Sequence, residues 1–168
     1  MLHQLLSRLD RLFGFPQARA HCDIPCKIYD PISAQLAALT VIRLLDIIQD
    51  LTAHHPQLAG EDLAQFMRLV AQKEEHAAKV KDEVRVIWGD YFKAPQLAQV
   101  PGVHDLVHQI MLQASKCKQG IAREDGQTLL KLVNQFAEAF WLTKGIVTFT
   151  ADCPYPPAQP VVYPRLGT

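Results

Sequence analysis

The chain has 168 residues, 49% of them hydrophobic, enough for one domain with a real core and short appendages. Its 17 Lys and Arg balance 17 Asp and Glu, which argues against a nucleic-acid partner, since such partners favour a basic surface. No run approaches the length of a membrane span, and four cysteines, Cys22, Cys26, Cys117 and Cys153, are too few for a disulfide scaffold.

Residues 1–20 carry Leu2, Leu5, Leu6, Leu9, Leu12 and Phe13 on one helical face until Gly14 and Pro16 end the pattern. Arg8, Asp10 and Arg11 interrupt the apolar run, so it lacks the clean hydrophobic region of a secretory signal; the expected compartment is the cytoplasm. Ala18-Arg19-Ala20 suits a protease that prefers small side chains. The segment is either a leader removed after Ala20 or an ordinary helix docked on the domain.

His21-Cys22-Asp23-Ile24-Pro25-Cys26 follows, and Asp30-Pro31 starts the next helix with an N-cap aspartate and a proline at the first helical position. That helix is expected over about residues 31–54, with Leu36, Leu39, Ile42, Leu45 and Ile48 inward. A second is expected from Glu61 to Trp88, burying Phe66, Leu69, Val70, Ala77, Val80, Val84 and Ile87, with Lys73, Glu74, Lys81, Asp82 and Glu83 on a solvated face. Gly89-Asp90 breaks it, and Tyr91–Pro95 forms an aromatic, basic connector. A third covers about Val103 to Lys118, with Leu106, Val107, Ile110 and Met111 inward. After a polar loop at Gln119–Asp125, a fourth covers Gly126 to Lys144, with Leu129, Leu132, Val133, Phe136, Phe140 and Trp141 inward.

Four amphipathic helices on short connections predict an all-α, antiparallel four-helix bundle. The expected organisation is a removable leader at 1–20, a hook plus bundle at 21–144, and a Pro-rich extension at 145–168. Within that extension Ile146–Phe149 is β-prone but alone, and Pro154–Pro164 is expected to be extended or disordered.

Cys22 and Cys26 are thiolate donors for a soft or borderline metal, and Pro25 biases Ile24 away from helix, so a compact loop can bring both sulfurs to one ion. If the chain is cut after Ala20, His21 adds a free α-amine and an imidazole, and the Cys22 amide nitrogen is a further donor. Two nitrogens and two thiolates make a planar set that favours Ni(II) or Cu(II) over zinc. On composition and spacing alone, the pair reads first as buried free thiols or an opportunistic disulfide.

The stretch from His21 to Pro31 resembles the mature N-terminus of nickel-containing superoxide dismutases, H-C-x-x-P-C-x-x-Y. Trp88-Gly89-Asp90-Tyr91-Phe92-Lys93-Ala94-Pro95 is similar to that family's W-x-D-Y-F-K-x-P segment, and Phe140–Lys144 to its F-W-x-T-K close. The resemblance implies a four-helix bundle with an N-terminal nickel hook, assembly as a homohexamer, removal of the leader by a protease, and conversion of superoxide to dioxygen and hydrogen peroxide by Ni(III)/Ni(II) cycling. It implies that His21, Cys22 and Cys26 bind nickel and that Pro25 shapes the hook. It places Tyr29 near the open nickel face, where it orders water and restricts access. It makes Asp23 and Tyr91 the residues that pin the hook, and sets Lys93 near the site to attract the anionic substrate or to position the hook. The alternative is a nickel-binding or delivery protein that uses the hook without turnover.

Some family members hold the axial imidazole with a glutamate and an arginine; here Ala37 and His76 occupy those positions, and His76 is the candidate substitute. His104 and His108 share a helix face but lack a third ligand, so they are expected to be surface histidines. Cys117 lies between Lys116 and Lys118, an arrangement that can lower a thiol pKa, but it is read, like Cys153, as an incidental thiol.

Overall fold

The structure is a computed structural model and describes residues 27–54 and 57–167. Four long helices form the body: α1 (Ile32–His54), α2 (Gly60–Val86), α4 (Val103–Gln119) and α5 (Arg123–Thr143), with a short α3 (Ala94–Gln99) between α2 and α4. Each long helix packs on two others, α1 on α2 and α5, and α4 on the same pair, which closes the four-helix bundle.

The start of α1 follows from its sequence. Asp30 Oδ1 accepts from the Ile32 amide at 2.8 Å, and the Pro31 carbonyl accepts from Ala34 and Gln35. Leu39, Ile42, Leu45 and Ile48 are buried, but Leu36 points outward and the inward stripe is completed by Ala34, Ala37, Ala38 and Val41. Small residues let α5 come close. A Cβ on Gly126 would meet Ile42 Cγ1 at 2.9 Å and Leu45 Cδ1 at 3.0 Å, so glycine is required where the two helices cross. By length and composition alone α1 is apolar enough to cross a membrane, contrary to the sequence expectation; in the bundle, half of its most apolar window is buried against the other helices.

Lys73 corrects the expected solvated face of α2. It is 1% exposed, and its ammonium donates to the carbonyls of Cys117, Lys118 and Gly120 at 2.6, 2.8 and 2.8 Å. The end of α4 leaves carbonyls without helical partners, and Lys73 reaches across to satisfy them. Burial pushes its pKa down. Ala77, Val80 and Val84 are buried as expected, while Phe66, Leu69 and Val70 are only half-buried.

Gly89-Asp90 does not break α2. The chain continues as a π-helical turn over Ile87–Tyr91, closed by the Phe92 amide on the Ile87 carbonyl at 3.3 Å. In α4, Val107 and Ile110 are buried while Leu106 and Met111 are partly so, and α5 begins earlier than expected, at Arg123. Asp125 lies inside α5, 2.7 Å from the Lys116 ammonium.

The extension also departs from expectation. Thr148–Asp152 (β1) pairs antiparallel with Pro160–Pro164 (β2), with Thr150 opposite Val162. The bonds Arg165 N to Val147 O and Cys153 N to Gln159 O set the register, so Pro160, Val162 and Pro164 turn their backbone polar groups away from β1. Prolines at two of those positions cost the ladder nothing. Asn134 of α5 serves the third: its amide group accepts from the Val162 amide at 3.2 Å and donates to the Pro160 carbonyl at 2.9 Å. Gln35, 2% exposed, donates to the Val162 carbonyl at 2.8 Å and to Asn134 Oδ1 at 2.9 Å. Cys153, Val161 and Val162 are buried with the main core.

Candidate metal centre

His21, Cys22, Asp23, Pro25 and Cys26 lie outside the described residues. What the structure gives is the floor from which that segment departs. Lys27, two residues before Tyr29 and three before the Asp30 cap, takes a left-handed backbone conformation, φ 57°.

The Tyr29 ring lies 5.8 Å from the Tyr91 ring. The π turn adds a residue to the end of α2 and brings two consecutive aromatics onto α5: Tyr91 against Phe140 at 4.8 Å, and Phe92 against Phe136 at 5.7 Å. The Tyr91 hydroxyl is 2.7 Å from the Thr143 hydroxyl, which itself donates to the Phe140 carbonyl at 2.7 Å. With its one proton committed there, the Thr143 oxygen accepts from Tyr91. Lys144 places its ammonium 4.6 Å from the centre of the Tyr91 ring and 5.5 Å from that of Phe140. Thus Tyr29, the Trp88–Pro95 segment and the Phe140–Lys144 segment, distant in sequence, meet at one end of the bundle.

Lys93 sits at this end with its ammonium on the Gly89 carbonyl at 2.7 Å, bracing the π turn. Its amide accepts no helical role; it donates to Gln96 Oε1 at 3.2 Å and caps α3. Trp88 donates through its indole N–H to His104 Nδ1 at 2.9 Å. Lys144 is the member of this group that sequence reasoning passed over: it was visible only as the last letter of a motif.

Ala37 is 2% exposed and offers no polar group. The His76 Nδ1 atom is buried and has no hydrogen-bond partner among the described residues, an unsatisfied state that costs free energy unless something pairs with it. Cys117 is a buried, unreactive thiol: burial pushes its pKa up to about 12 against the opposing charges of Lys73 and Lys116.

No group of three or more His, Cys, Asp or Glu among the described residues is placed to hold a metal. His104 and His108 are exposed, as expected of surface histidines. The donors that the sequence reading names, His21, Cys22 and Cys26, lie outside the described residues. Two thiolates, an imidazole and backbone nitrogens suit nickel in type and number.

The fold defines a helical bundle with an aromatic cluster of Tyr29, Tyr91, Phe92 and Phe140 at one end. The sequence model of nickel-containing superoxide dismutases matches residues 16–144. The superoxide dismutase [Ni] of Streptomyces seoulensis is 36% identical over 138 residues, which span 81% of this chain and 98% of that protein. The Streptomyces coelicolor superoxide dismutase [Ni] is 35% identical over 139 residues, with the same shares. A native nickel superoxide dismutase structure superposes with a TM-score of 0.64 at 32% identity, covering 74% of this chain and 99% of its own. The chain belongs to the nickel-containing superoxide dismutase family, oxidoreductases with a nickel cofactor. The β1–β2 hairpin lies beyond the family match.

Proposed function

We propose that the chain dismutates superoxide at a nickel ion bound by His21, Cys22 and Cys26 after cleavage at the Ala20–His21 bond. The observation that carries the reading is the meeting of Tyr29, Tyr91, Thr143 and Lys144 at the end of the bundle where the chain leaves toward those donors. The family match supports it independently.

In this reading the His21 amine and imidazole, the Cys22 thiolate and amide nitrogen, and the Cys26 thiolate hold the metal. Bound nickel supplies the electron exchange, cycling between Ni(III) and Ni(II), so that two superoxide ions and two protons become dioxygen and hydrogen peroxide. Pro25 shapes the hook. Asp23 and Tyr91 pin it, the latter from a ring held by Thr143 and Phe140. Tyr29, its ring tilted against Tyr91 at 5.8 Å, orders water and limits access at the open face of the metal. Lys93 positions the hook indirectly through its brace on Gly89. His76 offers its unpaired Nδ1 as the partner of the His21 ring. The leader keeps the site incomplete until it is cut. A cytoplasmic location and a homohexameric assembly complete the proposal.

Cys22→Ser and Cys26→Ser test it. The core among the described residues closes without either cysteine, so both variants should keep the helical circular dichroism of the parent and lose bound nickel and superoxide consumption. Nickel bound without superoxide consumption in the parent itself would favour the delivery protein instead.

A further inference from the structure

We propose that the outer edge of β1 and the exposed face of α5 beside it form a two-fold contact with a second copy of this chain. This goes beyond the superoxide reading and does not rest on it, because the hairpin lies outside the family match at residues 16–144.

The two edges of the hairpin are finished differently. The outer edge of β2 is closed: prolines stand at Pro160 and Pro164, and the side chains of Asn134 and Gln35 serve Val162. On β1 the register sends the backbone polar groups of Thr148, Thr150 and Asp152 away from β2. Those groups have no hydrogen-bond partner among the described residues. β1 carries no proline, glycine or lysine to blunt that edge. Antiparallel pairing with β1 of a second copy about Thr150 sets Thr150 opposite Thr150 and Thr148 opposite Asp152. In that register the outward groups meet, and each pair exchanges two backbone bonds.

The charges on α5 obey the same two-fold. Lys131 and Glu138 are exposed, and neither has an ion-pair partner among the described residues. They stand about 10 Å apart along one helix face. Midway between them, Asn134 and Gln135 line a groove of about 370 Å³ together with Thr150 and Val162. Asn134 accepts from the amide of Val162, the residue directly opposite Thr150. β2 runs along α5, with Gln159 bonded to Gln127 at one level and Val162 to Asn134 at the next. An axis through Thr150 therefore lies level with the midpoint of the charged stretch. Turning a second copy about that axis sets its Glu138 level with Lys131 and its Lys131 level with Glu138. A patch that complements itself in this way closes a pair instead of starting a filament.

The test places single cysteines in the full chain and reads covalent dimer on a non-reducing gel after air oxidation, with the parent as the baseline. Thr148, Thr150 and Asp152 lie outside the core, so the helical circular dichroism of each variant should match the parent's. Thr150→Cys should dimerise, since Cα atoms paired in this way lie about 5.5 Å apart, within disulfide range. Thr148→Cys and Asp152→Cys should each stay at the baseline alone and dimerise when mixed. In the Thr150→Cys background, Lys131→Glu should lower the yield about tenfold at low ionic strength, by setting like charges together. Adding Glu138→Lys should restore it. Thr150→Cys at the baseline, equal dimer from all three single variants, or a yield that Lys131→Glu leaves unchanged overturns the proposal.

Discussion

The Tyr91 hydroxyl donates to Thr143 Oγ1 across 2.7 Å, and this bond joins the end of the π turn to the end of α5 beneath the Tyr29 ring. It fixes the position of the one ring that touches Tyr29, Phe92 and Phe140 together. Tyr91→Phe removes the hydroxyl and keeps the ring. The bundle should lose only about 1 kcal/mol, read as a small fall in Tm. Chelator competition should show weaker nickel binding, because the proposed function has Tyr91 pin the hook. Unchanged nickel affinity would separate Tyr91 from the hook.

Lys73→Met replaces the buried ammonium with an apolar chain of similar length and leaves three carbonyls at the end of α4 without their donor. Hydrogen bonds to a charged group are worth about 1.5–3 kcal/mol each but do not add in full, so the loss should be about 3 kcal/mol. Denaturant unfolding measures it. A variant as stable as the parent would mean that water serves those carbonyls equally well.

The bundle itself was legible because apolar residues recur at helical spacing and because Asp30-Pro31 carries its cap in its side chain. Lys73 was not legible: a lysine in a polar run gives no sign that three carbonyls from a helix more than forty residues away converge on it. The hairpin was hidden for a different reason. Its prolines look like breakers of a ladder, and only the register shows that Pro160 and Pro164 face away from β1, where no amide is needed. The Tyr29–Tyr91–Thr143 cluster was foreshadowed by its motifs, but the roles of Lys93 and Lys144 depend on which acceptor each ammonium reaches.

A chain ending at Lys144 tests the hairpin. It loses the burial of Val161 and Val162 and the two amide bridges from Asn134 and Gln35. Partial re-solvation and the entropy of a freed tail offset some of this, leaving a loss of about 2–4 kcal/mol in denaturant unfolding. Nickel content should not change, because the cluster at the hook end uses no residue beyond Lys144. A shortened chain of unchanged stability would make the hairpin a passive addition.

Cys117 gives the stability an alkaline dependence. Its folded pKa is raised to about 12 from an ordinary value of 9.0. The folded state therefore keeps a proton that the unfolded state loses, and this contribution is whole below about pH 9 and is lost as pH rises toward 12. Lys73 acts in the opposite sense near the top of the same range, since its folded pKa is lowered. Cys117→Ala isolates the thiol: the parent should lose more stability than the variant between pH 9 and 11, measured by denaturant unfolding. Parallel pH profiles would refute the assignment.

The central claim is that the functional ligand set includes the amine of His21, an atom the chain possesses only after cleavage. The direct measurement is stopped-flow superoxide decay with two nickel-treated proteins whose N-termini are verified by intact mass, one beginning at His21 and one retaining residues 1–20. Nickel-dependent decay by the first protein alone is the predicted result. Equal nickel-dependent decay by the protein that retains residues 1–20 would contradict the account.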